Sequence, residues 1–137
     1  MSFNLRLKPE EAEQKAVIDY LNLKYPDVLK TISPQGMRLT MFQGLKFKML
    51  GYEEGTCDIL IFEPRDNYHG LFIEMKAPSR NYLTKKGVLM LSSHGVLSER
   101  QKIFIERANS KNYRAICCIG SDEAIKIIDE YFRGEKR

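Results

Sequence analysis

Long apolar runs, paired cysteines and clustered histidines are all missing from this sequence, and each gap removes a class of protein. No apolar stretch approaches the roughly 20 residues that a bilayer-spanning helix needs. The opening residues MSFNLRLKPEE lack the apolar core of a secretory signal, so the expectation is a soluble protein of the cytoplasm with no membrane contact. The three cysteines, Cys57 and the adjacent Cys117 and Cys118, form neither a C-x-x-C redox pair nor a zinc-binding spacing. They are expected to be buried structural thiols. His69 and His94 have no partner at the spacing of a metal site or a catalytic triad, and neither is assigned as a general base. Internal repeats, low-complexity tracts and linkers are absent too, which leaves one domain over residues 1–137. With 43% hydrophobic residues the chain can bury one ordinary core. The formal charge of +4 permits a polyanionic partner without specifying one.

What is present falls into alternating helical and strand patterns. Pro9 opens a helix through Lys24, with Ala16, Val17, Tyr20, Leu21 and Leu23 at near-helical spacing. Val28 to Ile32 suggests a short strand, and Met41 to Leu50 a second helix ended by Gly51. The apolar runs Asp58 to Phe62 and Gly70 to Lys76 are expected to form hairpin-like central strands. Ser98 can cap a helix reaching Ser110, Ala115 to Ile119 is a buried strand, and Ser121 or Asp122 caps a last helix through Tyr131. The order α, β, α, β, β, α, β, α describes an α/β sandwich.

Three residues stand out against that frame. Side chains alternate faces along a strand, so in GLFIEMKAP Leu71, Ile73 and Met75 point one way and Phe72, Glu74 and Lys76 the other. If the strand headed by Asp58 pairs antiparallel with this one, Asp58 lies near its Glu74 end. E-x-K alone also describes an amphipathic edge strand with solvated charges. Two carboxylates and an ammonium gathered at one sheet end instead suit a divalent metal and a phosphate.

The order Gly55, Asp58, Glu74, Lys76 resembles the PD-(D/E)xK nuclease core, and more narrowly the VRR-NUC family of virus-type replication and repair nucleases. Further matching pieces are Glu10 and Gln14 ahead of AVIDYLNLKYP, the run GLKFKMLGYEEGTCDILIF, the LSERQ segment Leu97 to Gln101 and the closing YRAICCIGSDEAIKIIDEYF. The likeness spans residues 9 to 132. Cys57 departs from the small residue usual before the Asp, TISPQGMR replaces a loop that often carries Asn and Gly, and residues 77–96 form an insertion, a flap or a partner contact.

The resemblance implies a restriction-endonuclease-like α/β sandwich, with a central mixed sheet flanked by helices, and a metal-dependent DNA endonuclease acting on branched DNA such as four-way junctions. Asp58 and Glu74 supply hard oxygen ligands for Mg²⁺ or Mn²⁺. The resemblance adds the Met75 backbone carbonyl and Glu10 to the ligand set, with Glu11 and Glu13 as alternatives for Glu10. Lys76 would orient or help deprotonate the attacking water, and Gln101 would hold Lys76 or a carboxylate. Two basic groups flank these residues, Arg38, Lys46 and Lys48 before them and Arg80, Lys85 and Lys86 after, where DNA phosphates need neutralising. Tyr52, Tyr68 and Tyr82 are read as packing residues, with stacking on unpaired bases as the alternative. Free-standing members of the family are implied to be homodimers in a bacterial or phage-infected cell. The competing expectation is a nuclease-like DNA-binding module of a repair complex that has no catalytic activity.

Overall fold

The structure is a computed structural model that describes residues 5–34, 39–83, 89–91 and 97–134, without the side chains of 79–83 and 89–91. The elements in chain order are α1 (Pro9–Lys24), β1 (Lys30–Ile32), α2 (Met41–Met49), β2 (Ile59–Ile61), β3 (Leu71–Lys76), β4 (Pro78–Leu83), β5 (Leu89–Leu91), α3 (Glu99–Ser110), β6 (Arg114–Ile119) and α4 (Ser121–Arg133). Four strands form a mixed sheet in the order β1-β2-β3-β6. The β1–β2 and β2–β3 pairs are antiparallel, and β3–β6 is parallel. The expected order holds with one addition. Within residues 77–96, read as an inserted flap or partner contact, β4 and β5 pair as a two-stranded antiparallel ribbon. Pro78–Leu83 is mostly polar and Leu89–Leu91 wholly apolar, so neither segment shows the alternation that marks a half-buried strand.

β3 is the central strand, and all six of its residues are buried. Its alternation divides the core as the pleat requires. Leu71, Ile73 and Met75 join Ile59, Ile61 and Cys118 of the neighbouring strands, and α1 and α4 cover them with Val17, Leu21, Ile127 and Ile128. Phe72 turns to the opposite face, where Cys57, Ala115 and Ala108 of α3 surround it with help from Phe104 and Tyr113. An aspartate ties α1 to α4: Asp129 accepts from the Tyr20 and Tyr25 hydroxyls at 2.7 Å and from Lys24 Nζ at 3.0 Å.

The start of α4 corrects an expectation. Neither Ser121 nor Asp122 caps it; the cap position is Gly120, at φ 84°, with no side chain to offer. Glu13 of α1 takes over, its Oε2 accepting from the Ser121 backbone N–H at 2.6 Å. A carboxylate at a helix N-terminus satisfies an otherwise unpaired donor and meets the positive end of the helix dipole. Replacing Glu13 with Ala should therefore destabilise the protein by about 1 kcal/mol, read as a melting temperature roughly 3 °C lower. An unchanged melting curve would show that the bond contributes nothing.

Candidate active site

Asp58 and Glu74 meet because of strand register. Ile59 pairs with Ile73, so the next residues outward along the antiparallel pair are Asp58 and Glu74. Asp58 Oδ2 accepts from the Met75 backbone N–H at 2.8 Å, which fixes the carboxylate against β3. Glu74 and Lys76 project from β3 toward α3, one on each side of Met75 in sequence, and form an ion pair with Nζ and Oε1 3.8 Å apart.

Gln101 locks this pair to the first turn of α3. Its Nε2 donates to Glu74 Oε1 at 2.6 Å, while its Oε1 accepts from Lys76 Nζ at 3.3 Å. The same Oε1 accepts from the Ser98 backbone N–H at 2.9 Å, and Ser98 Oγ returns the bond by accepting from the Gln101 N–H at 3.2 Å. One side chain thus closes the helix cap and bridges the acid and the base. A glutamate would complete the cap equally well but could not donate to Glu74.

The site is the exception in an otherwise apolar interior. Among the described residues the buried polar or charged side chains are Ser33, Asp58, Glu74, Lys76 and Gln101. A buried polar cluster is informative because burying charge costs free energy unless other groups compensate. Here compensation is incomplete: among the described residues no donor reaches the buried Glu74 Oε2. Burial is the largest cause that pushes both carboxyl groups above their ordinary range, and the Asp58 charge adds to the shift at Glu74. The Glu10 charge raises both.

The three N-terminal glutamates have separate tasks. Glu11 Oε1 accepts from the Lys8 backbone N–H at 2.8 Å, closing the cap of α1, and Glu13 caps α4. Glu10 is the one whose charge is among the main causes that raise Asp58 and Glu74, and with Glu11 it lines a cavity that reaches Asp58.

These residues present a suitable surface for a hard cation. Two carboxylates with elevated pKa values and a partnerless buried oxygen would be relieved by a divalent ion. No group of three or more His, Cys, Asp and Glu among the described residues forms a cage by itself. A cation held by Asp58 and Glu74 would keep coordination positions open for water and phosphate oxygens.

Ser33 is the buried member that sequence reasoning missed. Its N–H donates to the Asp58 carbonyl at 2.9 Å, and its hydroxyl meets the Tyr52 hydroxyl at 3.1 Å. Nothing distinguishes this serine in the sequence, since its burial comes from the end of β1 lying against Asp58. Tyr68 packs against Tyr131, and the His69 ring meets Tyr113 edge-on.

Of the basic residues, Lys46 and Lys48 lie on α2. Lys48 pairs with Glu54, which Arg100 also contacts at 2.7 Å. Arg38, Lys85, Lys86 and His94, together with the side chains of Arg80 and Tyr82, lie outside the described residues. Cys57 and Cys118 are buried as expected, whereas Cys117 is partly exposed. Burial pushes the Cys117 thiol up to about 11, with the neighbouring Glu74 adding to the shift, so it stays protonated near neutrality.

Comparison with known proteins agrees with this architecture. No curated protein matches the chain. One solved structure, described as a VRR_NUC domain protein, superposes with a TM-score of 0.70 at 24% identity, covering 94% of this chain and 92% of that one. At that identity the likeness speaks for the fold. The VRR-NUC domain model matches residues 9–122, a span that contains α1, Asp58, Glu74, Lys76 and Gln101, and the chain belongs to the VRR-NUC nuclease family.

Proposed function

We propose that this protein is a Mg²⁺- or Mn²⁺-dependent DNA endonuclease that selects branched DNA, such as four-way junctions, during replication, recombination or repair in a bacterial or phage-infected cell. The observation that carries the reading is the buried Asp58–Glu74–Lys76–Gln101 cluster, in which Glu74 Oε2 has no donor among the described residues. A module that only binds DNA gains nothing from paired carboxylates in this position, since they repel phosphate.

In this reading Asp58, Glu74 and the Met75 carbonyl would hold the cation, and Glu10, which lines the cavity that reaches Asp58, would join them. A bound divalent ion polarises the phosphoryl group and neutralises charge that develops in phosphodiester hydrolysis. The chain's own contribution is positional. Lys76, held by Gln101 and Glu74, directs its ammonium at the attacking water and balances negative charge growing on the phosphate. Gln101 keeps Glu74 Oε1 occupied, which leaves Oε2 as the oxygen available to a ligand. Lys46 and Lys48, with Arg38, Arg80, Lys85 and Lys86, are assigned to the DNA backbone; Lys48 would exchange Glu54 for a phosphate.

Both carboxyl groups bind protons more tightly in the folded protein than in water, and a cation must displace those protons. Lowering the pH from 8 to 6 should raise the Mg²⁺ concentration needed for half-maximal cleavage by about tenfold or more. Metal titrations of cleavage at the two pH values, on flap and four-way-junction substrates beside duplex, test this. A pH-independent metal requirement, or equal rates on all three DNAs, would contradict the respective part of the proposal.

A homodimer completes the proposal, and α2 supports it. Met41, Phe42, Leu45 and Met49 fall on one stripe of that helix, yet they are 83%, 85%, 53% and 86% exposed. Leu50, 75% exposed, extends the apolar surface at the end of the helix. A two-fold pairing through this stripe would present two sites to one branched substrate. Phe42→Glu should then yield a monomer in sedimentation equilibrium where the unaltered chain is a dimer; a dimer in both would place the interface elsewhere.

A further inference from the structure

A cavity of about 420 Å³ opens beside the carboxylates, between the start of α1 and the end of β1. Asp58 lines it at one side, and Leu7, Ile18 and Ile32 contribute apolar wall. Gln14 lines it as well, and among the described residues its amide makes no hydrogen bond. Lys8 is also part of the lining. The volume falls within the roughly 300–1,000 Å³ of sites that enclose small organic ligands.

Its chemistry narrows the occupant. The wall is mainly apolar and its charges are mixed, Lys8 and Lys15 against Glu10, Glu11 and Asp58, so a sugar-phosphate backbone would find no concentrated positive charge here. A nucleobase fits better, because its faces are apolar and its edge carries both donors and acceptors, which a glutamine amide can match. Because Asp58 belongs both to this cavity and to the proposed metal site, a base seated here would be on the strand being cut, next to the scissile phosphate.

Resting on the nuclease reading, we infer that this cavity takes one unpaired nucleobase from the cleaved strand. The base leaves the helical stack and enters between Leu7, Ile18 and Ile32, where Gln14 meets its edge. Intact duplex must first break a pair and a stack. A flap already carries unpaired bases at its branch point, and the pairs at the crossover of a four-way junction are held less firmly than those inside a duplex. The cavity therefore supplies a reason for selecting branched DNA that does not depend on dimer geometry.

The test uses 2-aminopurine, whose emission is quenched in the stack and recovers when it is unstacked. The probe is placed in turn at each branch-adjacent position of a four-way junction and a flap, with Ca²⁺ in place of Mg²⁺. A separate dye reports binding by anisotropy. Binding should brighten the probe several-fold at one position. Ile32→Trp, at an edge-strand residue that is 48% exposed, fills the cavity and should abolish that rise in DNA that is still bound. Gln14→Ala should retain the rise and flatten any preference among bases at that position.

Bound DNA whose probe stays dark at every position overturns the inference, as does a rise that survives in Ile32→Trp. A rise in the unaltered protein, lost in Ile32→Trp, without cleavage under Mg²⁺ or Mn²⁺ would leave the cavity standing and sink the nuclease reading. No binding to any DNA overturns both.

Discussion

Replacing Asp58 with Asn is expected to reduce metal-dependent cleavage by a factor on the order of 10³ or more, while raising the melting temperature of the metal-free protein at pH 8. The two effects share one cause. Asp58 is buried beside Glu74, and its carboxyl group is held above its ordinary range chiefly by that burial. A carboxyl whose pKa is raised by folding favours the folded state most when protonated. Stability is accordingly full below the unfolded value, near 4, and declines as pH rises through the raised folded value. Asparagine keeps an oxygen to accept the Met75 N–H but never ionises. The melting temperature at pH 8 should therefore increase by roughly 4 °C or more, and the gain should vanish at pH 4. Loss of cleavage with a lower melting temperature at pH 8 would mean that the ionised carboxylate stabilises the metal-free fold, contrary to this account.

Gly55→Ala should be the most disruptive single change outside the Asp58–Glu74–Lys76–Gln101 cluster. Gly55 sits at φ 90°, a conformation that residues with a Cβ rarely adopt. An added Cβ would also lie 2.3 Å from the Arg100 carbonyl oxygen and 2.9 Å from the Gln101 backbone nitrogen, both in the first turn of α3. Backbone at that distance must move. Displacing this turn pulls Gln101 from Glu74 and Lys76, so the substitution combines strain with a disturbed site. We expect a loss of about 3 kcal/mol or more, seen in denaturant unfolding, with cleavage lowered well beyond the fraction of protein that unfolds. Full activity at normal stability would show that the loop relaxes without moving α3.

The parts of the molecule that follow from local pattern were legible in the sequence. The alternation of β3 assigned Leu71, Ile73 and Met75 to the core shared with α1 and α4 and turned Glu74 and Lys76 the other way, as the structure has them. Ser98 was legible as the cap of α3 because its bond is local, three residues away. What remained hidden depends on contacts distant in sequence. Glu13 caps a helix 108 residues later, a partnership that no local spacing encodes. Ser33 is buried only because β1 ends against Asp58, and the β4–β5 ribbon lacks the apolar alternation by which strands are recognised. Glu10, Glu11 and Glu13 could not be told apart as letters in PEEAEQ; the caps at Lys8 and Ser121 separate them.

The central claim is that Asp58, Glu74 and Lys76 form a metal-dependent phosphodiesterase site. The most direct measurement is cleavage of end-labelled four-way-junction and flap DNA by purified protein with Mg²⁺, Mn²⁺ or EDTA, beside the folded Asp58→Asn variant. The account predicts cutting with either ion, none in EDTA, and none by the variant. DNA bound but left intact by the unaltered protein in both metals, or cut equally by Asp58→Asn, would contradict it.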